Sequence, residues 1–222
     1  MTFICALTLT CSTAFAGESQ KSPTDITKIP GLVDVVSLAP DVKVELIYST
    51  TDNFLGKDVY GDLEQCYLQK DAAKMMAKAA QALKALKPDL KLLAYDCVRP
   101  VSVQRVMWDV VKGTPQQNYV ANPNSKTGSI HNYGCAVDLT LVDKDGKALD
   151  MGTKFDFFGK KAQPRHELAF FRKKELTSQQ YVNRLLLRLV MVQAGFSPIP
   201  NEWWHFNCAS PKKTRQLYKK VP

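Results

Sequence analysis

Residues 129–138 read SIHNYGCAVD, with an imidazole at His131, a glycine at Gly134 and a carboxylate at Asp138, and the run Ala136 to Val142 (AVDLTLV) continues from it. Seven positions equal two helical turns, so His131 and Asp138 could share a helix face. Gly134 and the alternating β-branched run are poor helix material, however, and AVDLTLV predicts a strand instead. The chain must then turn near Gly134, with His131 at the end of one element and Asp138 pointing back from the new strand toward the same spot. Two metal ligands can converge in this way.

A second segment, PIPNEWWHFNC (198–208), carries Glu202 and His205 three apart with Trp203 and Trp204 between them. Pro198, Pro200 and the aromatic run disfavour a helix and predict an extended segment with a turn. A catalytic zinc site takes three nitrogen or oxygen ligands and keeps a fourth position open. His131, Asp138 and His205 supply that set, and Glu202 is then the natural general base, a carboxylate near the ion but not bound to it. Each piece alone has a bland reading, because a lone histidine is more often structural and a Glu-x-x-His recurs by chance. Only three histidines exist, though, and two of them sit beside a carboxylate at metal-site spacing. The third, His166 in PRHELAFF, is expected to be structural or to support the site from behind.

The 222 residues, 45% apolar and 23% charged, suit one domain with a substantial core. The net charge of +9 is spread over helix faces and the tail KKTRQLYKK, without a compact basic motif, so no nucleic-acid partner is expected. MTFICALTLTCSTAFA (1–16) reads as a signal peptide ending in Ala14-Phe15-Ala16, residues 17–31 as a linker, and 32–222 as the domain. Export would place the protein in the periplasm or outside the cell. No other stretch approaches the ~20 apolar residues of a membrane span. Without the leader, Cys66, Cys97, Cys135 and Cys208 remain, with three connectivities open. There is no CxxC, which excludes zinc-ribbon and thioredoxin readings. Cys66–Cys97 with Cys135–Cys208 is favoured, since the second pair flanks the two ligand segments and would tie them together.

Val42 to Tyr48 and Leu90 to Tyr95 read as strands, and Lys70 to Lys87 as an amphipathic helix stopped by Pro88. Val101 to Lys112 reads as a helix, 113–128 as a polar loop, and Asp145-Gly146 as a hairpin turn between AVDLTLV and KALDM. Thr177 to Gln180 is a capping-box pattern opening a helix that runs to Ala194 and closes at Gly195. Without a regular βαβ repeat, this order predicts an α+β fold with a mainly antiparallel central sheet flanked by helices.

Ser129-x-His131-x-x-Gly134-x-Ala136-x-Asp138 and Glu202-Trp203-Trp204-His205 resemble the zinc D-alanyl-D-alanine dipeptidases of the VanX type, a branch of the LAS metallopeptidases (peptidase family M15, subfamily D). Tyr48-x-x-x-Asp52-Asn53-Phe54-x-Gly56-Lys57, Asp96-x-x-Arg99-Pro100 and Met151-Gly152-x-x-Phe155-Asp156 are similar to further blocks of that family. The resemblance implies the hedgehog-like LAS fold and one zinc per chain on His131, Asp138 and His205. It further implies Glu202 as base, Arg99 as oxyanion stabiliser, and Tyr48, Ser129 and Asp156 at the ends of a free dipeptide, Asp156 facing its ammonium. The loop between Arg99 and Ser129 is shorter than in the family's antibiotic-resistance members, and the tail lacks their Pro- and aromatic-rich ending. Both features bear on how tightly the pocket closes. Two rivals stand beside this reading: a D,D-carboxypeptidase or endopeptidase acting on peptidoglycan stems, and a non-catalytic cell-wall or anionic-surface binder with structural zinc. On the bland readings Arg99 makes a surface ion pair with Asp96, Asp156 and Ser129 are turn residues, and Tyr48 is a half-buried strand tyrosine.

Overall fold

AVDLTLV forms strand β5 (Ala136–Val142), and every one of its residues is buried. It lies at the centre of a five-stranded sheet of order β2-β4-β5-β7-β6, made with β2 (Lys43–Val44), β4 (Lys91–Asp96), β6 (Ser197–Pro198) and β7 (His205–Asn207). A central strand covered on both faces tolerates apolar side chains at every position, which is why its alternation does not become an in–out pattern. The β2–β4 pairing is parallel and the others are antiparallel. The computed structural model describes residues 24–222; the expected leader and the start of the expected linker lie outside them.

Register is what builds the site. Asp96 pairs with Asp138, across an irregularity between Ala94 and Asp96, and Asp138 pairs with His205. Directly opposed residues present their side chains to one face of a sheet. Three polar residues from three neighbouring strands therefore stand in one row at one end of the sheet.

Helix α1 (Lys70–Leu86) buries Ala72, Ala73, Met76, Ala79 and Leu83 and leaves Lys74, Lys78 and Lys84 exposed, the stripe its periodicity predicts. It packs against α4 (Ser178–Gln193), and the two cover β4 and β5. The capping box forms, with Thr177 Oγ1 accepting from Gln180 N and the Gln180 side chain from Thr177 N. Gly195 ends the helix at φ +107°, a conformation that favours glycine. Helices α2 (Val101–Val111), α3 (Pro164–Arg172) and α5 (Pro211–Leu217) complete the described residues, together with a small β1 (Leu32–Asp34)–β3 (Tyr67–Gln69) sheet. Both expected disulfides, Cys66–Cys97 and Cys135–Cys208, are present.

Two expectations are corrected. The strand expected over Val42 to Tyr48 pairs only at Lys43–Val44 and breaks into a 3₁₀ turn at Ile47–Ser49. The turn drives Tyr48 inward to bury its ring, which an edge strand running straight on would not do. The hairpin after β5 keeps its turn, with Gly146 at φ +81°, but KALDM makes only a single bridge, Val142↔Ala148, and no strand.

Candidate metal centre and substrate pocket

Ser129 caps a 3₁₀ turn at Ile130–Tyr133, its Oγ accepting from His131 N while Asn132 Oδ1 accepts from Ser129 N. Gly134 follows at φ +65°, and a Cβ there would meet Leu32 Cδ2 at 2.6 Å and Gln69 N at 3.3 Å. Only glycine fits, and the tight reversal aims both His131 and Asp138 inward.

Hydrogen bonds behind each imidazole set its tautomer. His131 Nδ1 lies 2.7 Å from Cys97 O; a carbonyl only accepts, so Nδ1 carries the proton and Nε2 presents its lone pair. His205 Nε2 donates to Asn207 Oδ1 at 2.9 Å, which leaves Nδ1 bare. The two bare nitrogens stand 3.1 Å apart, and Asp138 reaches His205 Nδ1 with Oδ1 at 2.9 Å and His131 Nε2 with Oδ2 at 3.3 Å. Two facing lone pairs beside a carboxylate repel unless a cation or a proton lies between them. Ligands about 2.1 Å from a tetrahedral zinc sit about 3.4 Å from one another, close to the spacing found, so the donor set fits such an ion. Burial alone would raise the Asp138 pKa, but charge and hydrogen bonds from His131 and His205, as they stand when a proton occupies that space, hold it well below the usual carboxylate range. These three form the potential cation site among the described residues; His166, half-buried in α3, is not part of it.

Glu202 stands just outside the set, its Oε2 3.9 Å from His205 Nδ1. Burial pushes its carboxyl up to about 8, despite the opposing pull of His205. Arg99 is no surface residue. Its Nε donates to Asp96 Oδ2 at 2.9 Å, its Nη2 also meets that oxygen, and its Nη1 donates to Gln104 Oε1 at 2.9 Å. Asp96 is fully buried and accepts further bonds from the Tyr60 hydroxyl and Cys97 N. Burial opposes the guanidinium charge, yet Asp96 and its neighbours keep Arg99 firmly protonated. Its Nη2 lies 3.7 Å from Asp138 Oδ2 and its guanidinium 5.4 Å from the Tyr48 ring centre.

Asp156 does occupy a turn, at φ +55°, but its carboxylate accepts from the Tyr48 hydroxyl at 2.8 Å. Burial pushes it up to about 8, partly offset by that bond. All eight residues singled out in the sequence line one cavity of about 280 Å³. The bland readings of Arg99 and Tyr48 are therefore corrected: the ion pair is buried, and the tyrosine is itself fully buried in a turn whose other residues are half-buried. The sequence reading missed Gln104, Asn207, Tyr60 and the Cys97 carbonyl. None carries a local signal, since each acts through a partner supplied by tertiary packing.

The family model for peptidase M15, described as D-ala-D-ala dipeptidase, matches residues 28–221. The chain is 37% identical over 175 residues to a D-alanyl-D-alanine dipeptidase of Escherichia coli K12, covering 79% of this chain and 83% of that one. It is 30% identical to a protein of the same description from Synechocystis (63% and 68% covered) and 29% identical to one from Enterococcus faecium (74% and 85%).

Proposed function

Because the chain belongs to the peptidase M15 family of D-Ala-D-Ala dipeptidases and is a metallopeptidase, we propose that it hydrolyses free D-alanyl-D-alanine to two D-alanines, using one zinc ion on His131, Asp138 and His205. The observation that carries this reading is the convergence of two bare imidazole nitrogens and a carboxylate, with Glu202 3.9 Å away and outside the set.

When bound, the ion supplies Lewis acidity, making a water acidic and drawing charge from the scissile carbonyl. Glu202 takes the water proton and delivers it to the leaving amine; its buried carboxyl favours the neutral form, and a cation in the adjoining donors favours the ionised one. Arg99, fixed by Asp96 and Gln104, meets the oxyanion with a charge already oriented before reaction. Asp156 and Tyr48 receive the substrate's ammonium, and Ser129 its other end. A longer or acylated chain leaves those groups unpaired, which argues against the carboxypeptidase reading. Two disulfides support export to an oxidising compartment, the periplasm or outside the cell.

The test is hydrolysis of D-Ala-D-Ala by the purified protein, before and after chelation and zinc return. Glu202→Gln is expected to lower kcat by about 10²–10⁴-fold while zinc affinity persists. Full turnover by that variant would leave the zinc a structural role and sink the mechanism.

A further inference from the structure

We infer that Phe54 sets the length of substrate the enzyme accepts, by closing the catalytic pocket off from a larger groove beside it; the inference rests on the dipeptide reading above. Next to the catalytic cavity lies a second of about 740 Å³, reached by Glu45, Tyr95, Asp150 and Trp203. Phe54 and Asp156 are the residues that line both. Together they are the wall between the two spaces.

The direction of a longer chain makes this wall matter. A peptide extended at its amino end continues from the nitrogen that Asp156 receives. Asp156 borders both spaces, so a chain continuing past it enters the larger groove. Asp156 is held in place by the Tyr48 hydroxyl at 2.8 Å, so the remaining gap is the one filled by the Phe54 ring.

That ring is pinned rather than free to swing. It meets Tyr48 edge-on (centroids 6.1 Å, planes at 88°) and Phe158 at 5.1 Å and 64°. Phe158 in turn stacks on Tyr119 (5.2 Å, 17°), whose hydroxyl accepts from Gln163 Nε2 at 2.8 Å. Beneath the ring, the Asn53 side chain donates to Thr50 O and Lys57 O and accepts from Leu55 N, knitting the turn that carries it. Three segments distant in sequence thus brace one aromatic wall, and a braced aromatic excludes bulk more strictly than a flexible loop does. The segment after α2 contributes Tyr119 to this brace.

The experiment compares the zinc-loaded full chain with Phe54→Ala and Phe54→Leu. Each is given D-Ala-D-Ala and L-Ala-D-Ala-D-Ala, and release of the C-terminal D-alanine is followed. The wild type is expected to favour the dipeptide by about a thousandfold in kcat/KM, a discrimination available when buried polar groups are left unpaired. Phe54→Ala should cut that preference at least about tenfold, chiefly by raising tripeptide cleavage, with Phe54→Leu in between. Should Phe54→Ala unfold, Phe54→Leu alone carries the test, with a shift of at least about threefold. A preference unmoved in the folded variants while the dipeptide is still cleaved overturns this inference alone; no dipeptide cleavage by the wild type overturns it together with the proposed function.

Discussion

Glu202 and Asp156 make the metal-free protein less stable as pH rises, and the size of the effect follows from their surroundings. Burial moves Glu202 from 4.5 and Asp156 from 3.8 to about 8 each. Between the ordinary carboxylate range and pH 8, the folded chain holds protons that the unfolded chain has released. Stability is therefore complete below the unfolded values and falls as pH climbs toward the folded ones. Each such group costs about 1.4 kcal/mol per pH unit across that window. From pH 5 to pH 7, Glu202 alone removes about 2–3 kcal/mol. Asp156 adds less than its own full share, because part of the rise at Glu202 comes from the charge of Asp156. The measurement is urea unfolding of chelated wild type, Glu202→Gln and Glu202→Gln/Asp156→Asn at pH 5, 6 and 7, since comparing variants cancels the shared drift of net charge. The advantage of Glu202→Gln over wild type should grow by that 2–3 kcal/mol as pH rises. Added zinc should reverse the wild-type trend, as a nearby cation favours the ionised carboxylate. Parallel pH profiles for wild type and Glu202→Gln would refute the premise that the empty site stores a proton on its base.

Three further outcomes are expected. Asp156→Asn keeps the shape of the pocket but loses the ammonium's counter-charge, so kcat/KM for D-Ala-D-Ala should fall about a hundredfold with zinc affinity unchanged, as steady-state kinetics and calorimetric zinc titration will show. Replacing Cys135 and Cys208 by serine opens a loop spanning 73 residues and should cost about 4 kcal/mol in unfolding free energy; because that bridge flanks both histidine segments, zinc affinity should fall with it. Gly134→Ala forces a methyl group to within 2.6 Å of Leu32 Cδ2 at φ +65°. It should destabilise the fold by about 2 kcal/mol and weaken zinc binding by displacing His131, both readable from thermal melts with and without the ion.

Much of this site could be read from the chain itself. Spacing and residue type predicted β5, α1, α4 and the Gly134 reversal, because hydrophobic period, capping side chains and positive-φ glycine act over a few neighbouring residues. The same local chemistry picked out His131, Asp138, His205 and Glu202. Where it failed, a distant partner had taken over. Val42 to Tyr48 alternates like a strand, yet Tyr48 turns inward to reach Asp156, 108 positions away. Arg99 and Asp96 look like a surface pair, yet the sheet buries them.

The sequence by itself determined which groups are available as ligands and base, and where the chain must turn to present them. Only the tertiary structure decided that Asp96, Asp138 and His205 share one row, which imidazole nitrogen faces inward, and that Phe54 walls off the pocket. Those features depend on contacts such as His131 with Cys97, 34 positions apart, and with His205, 74 apart. A one-residue slip in strand register would turn the same side chains to the opposite face, and nothing in the local sequence forbids that slip; the packed core does.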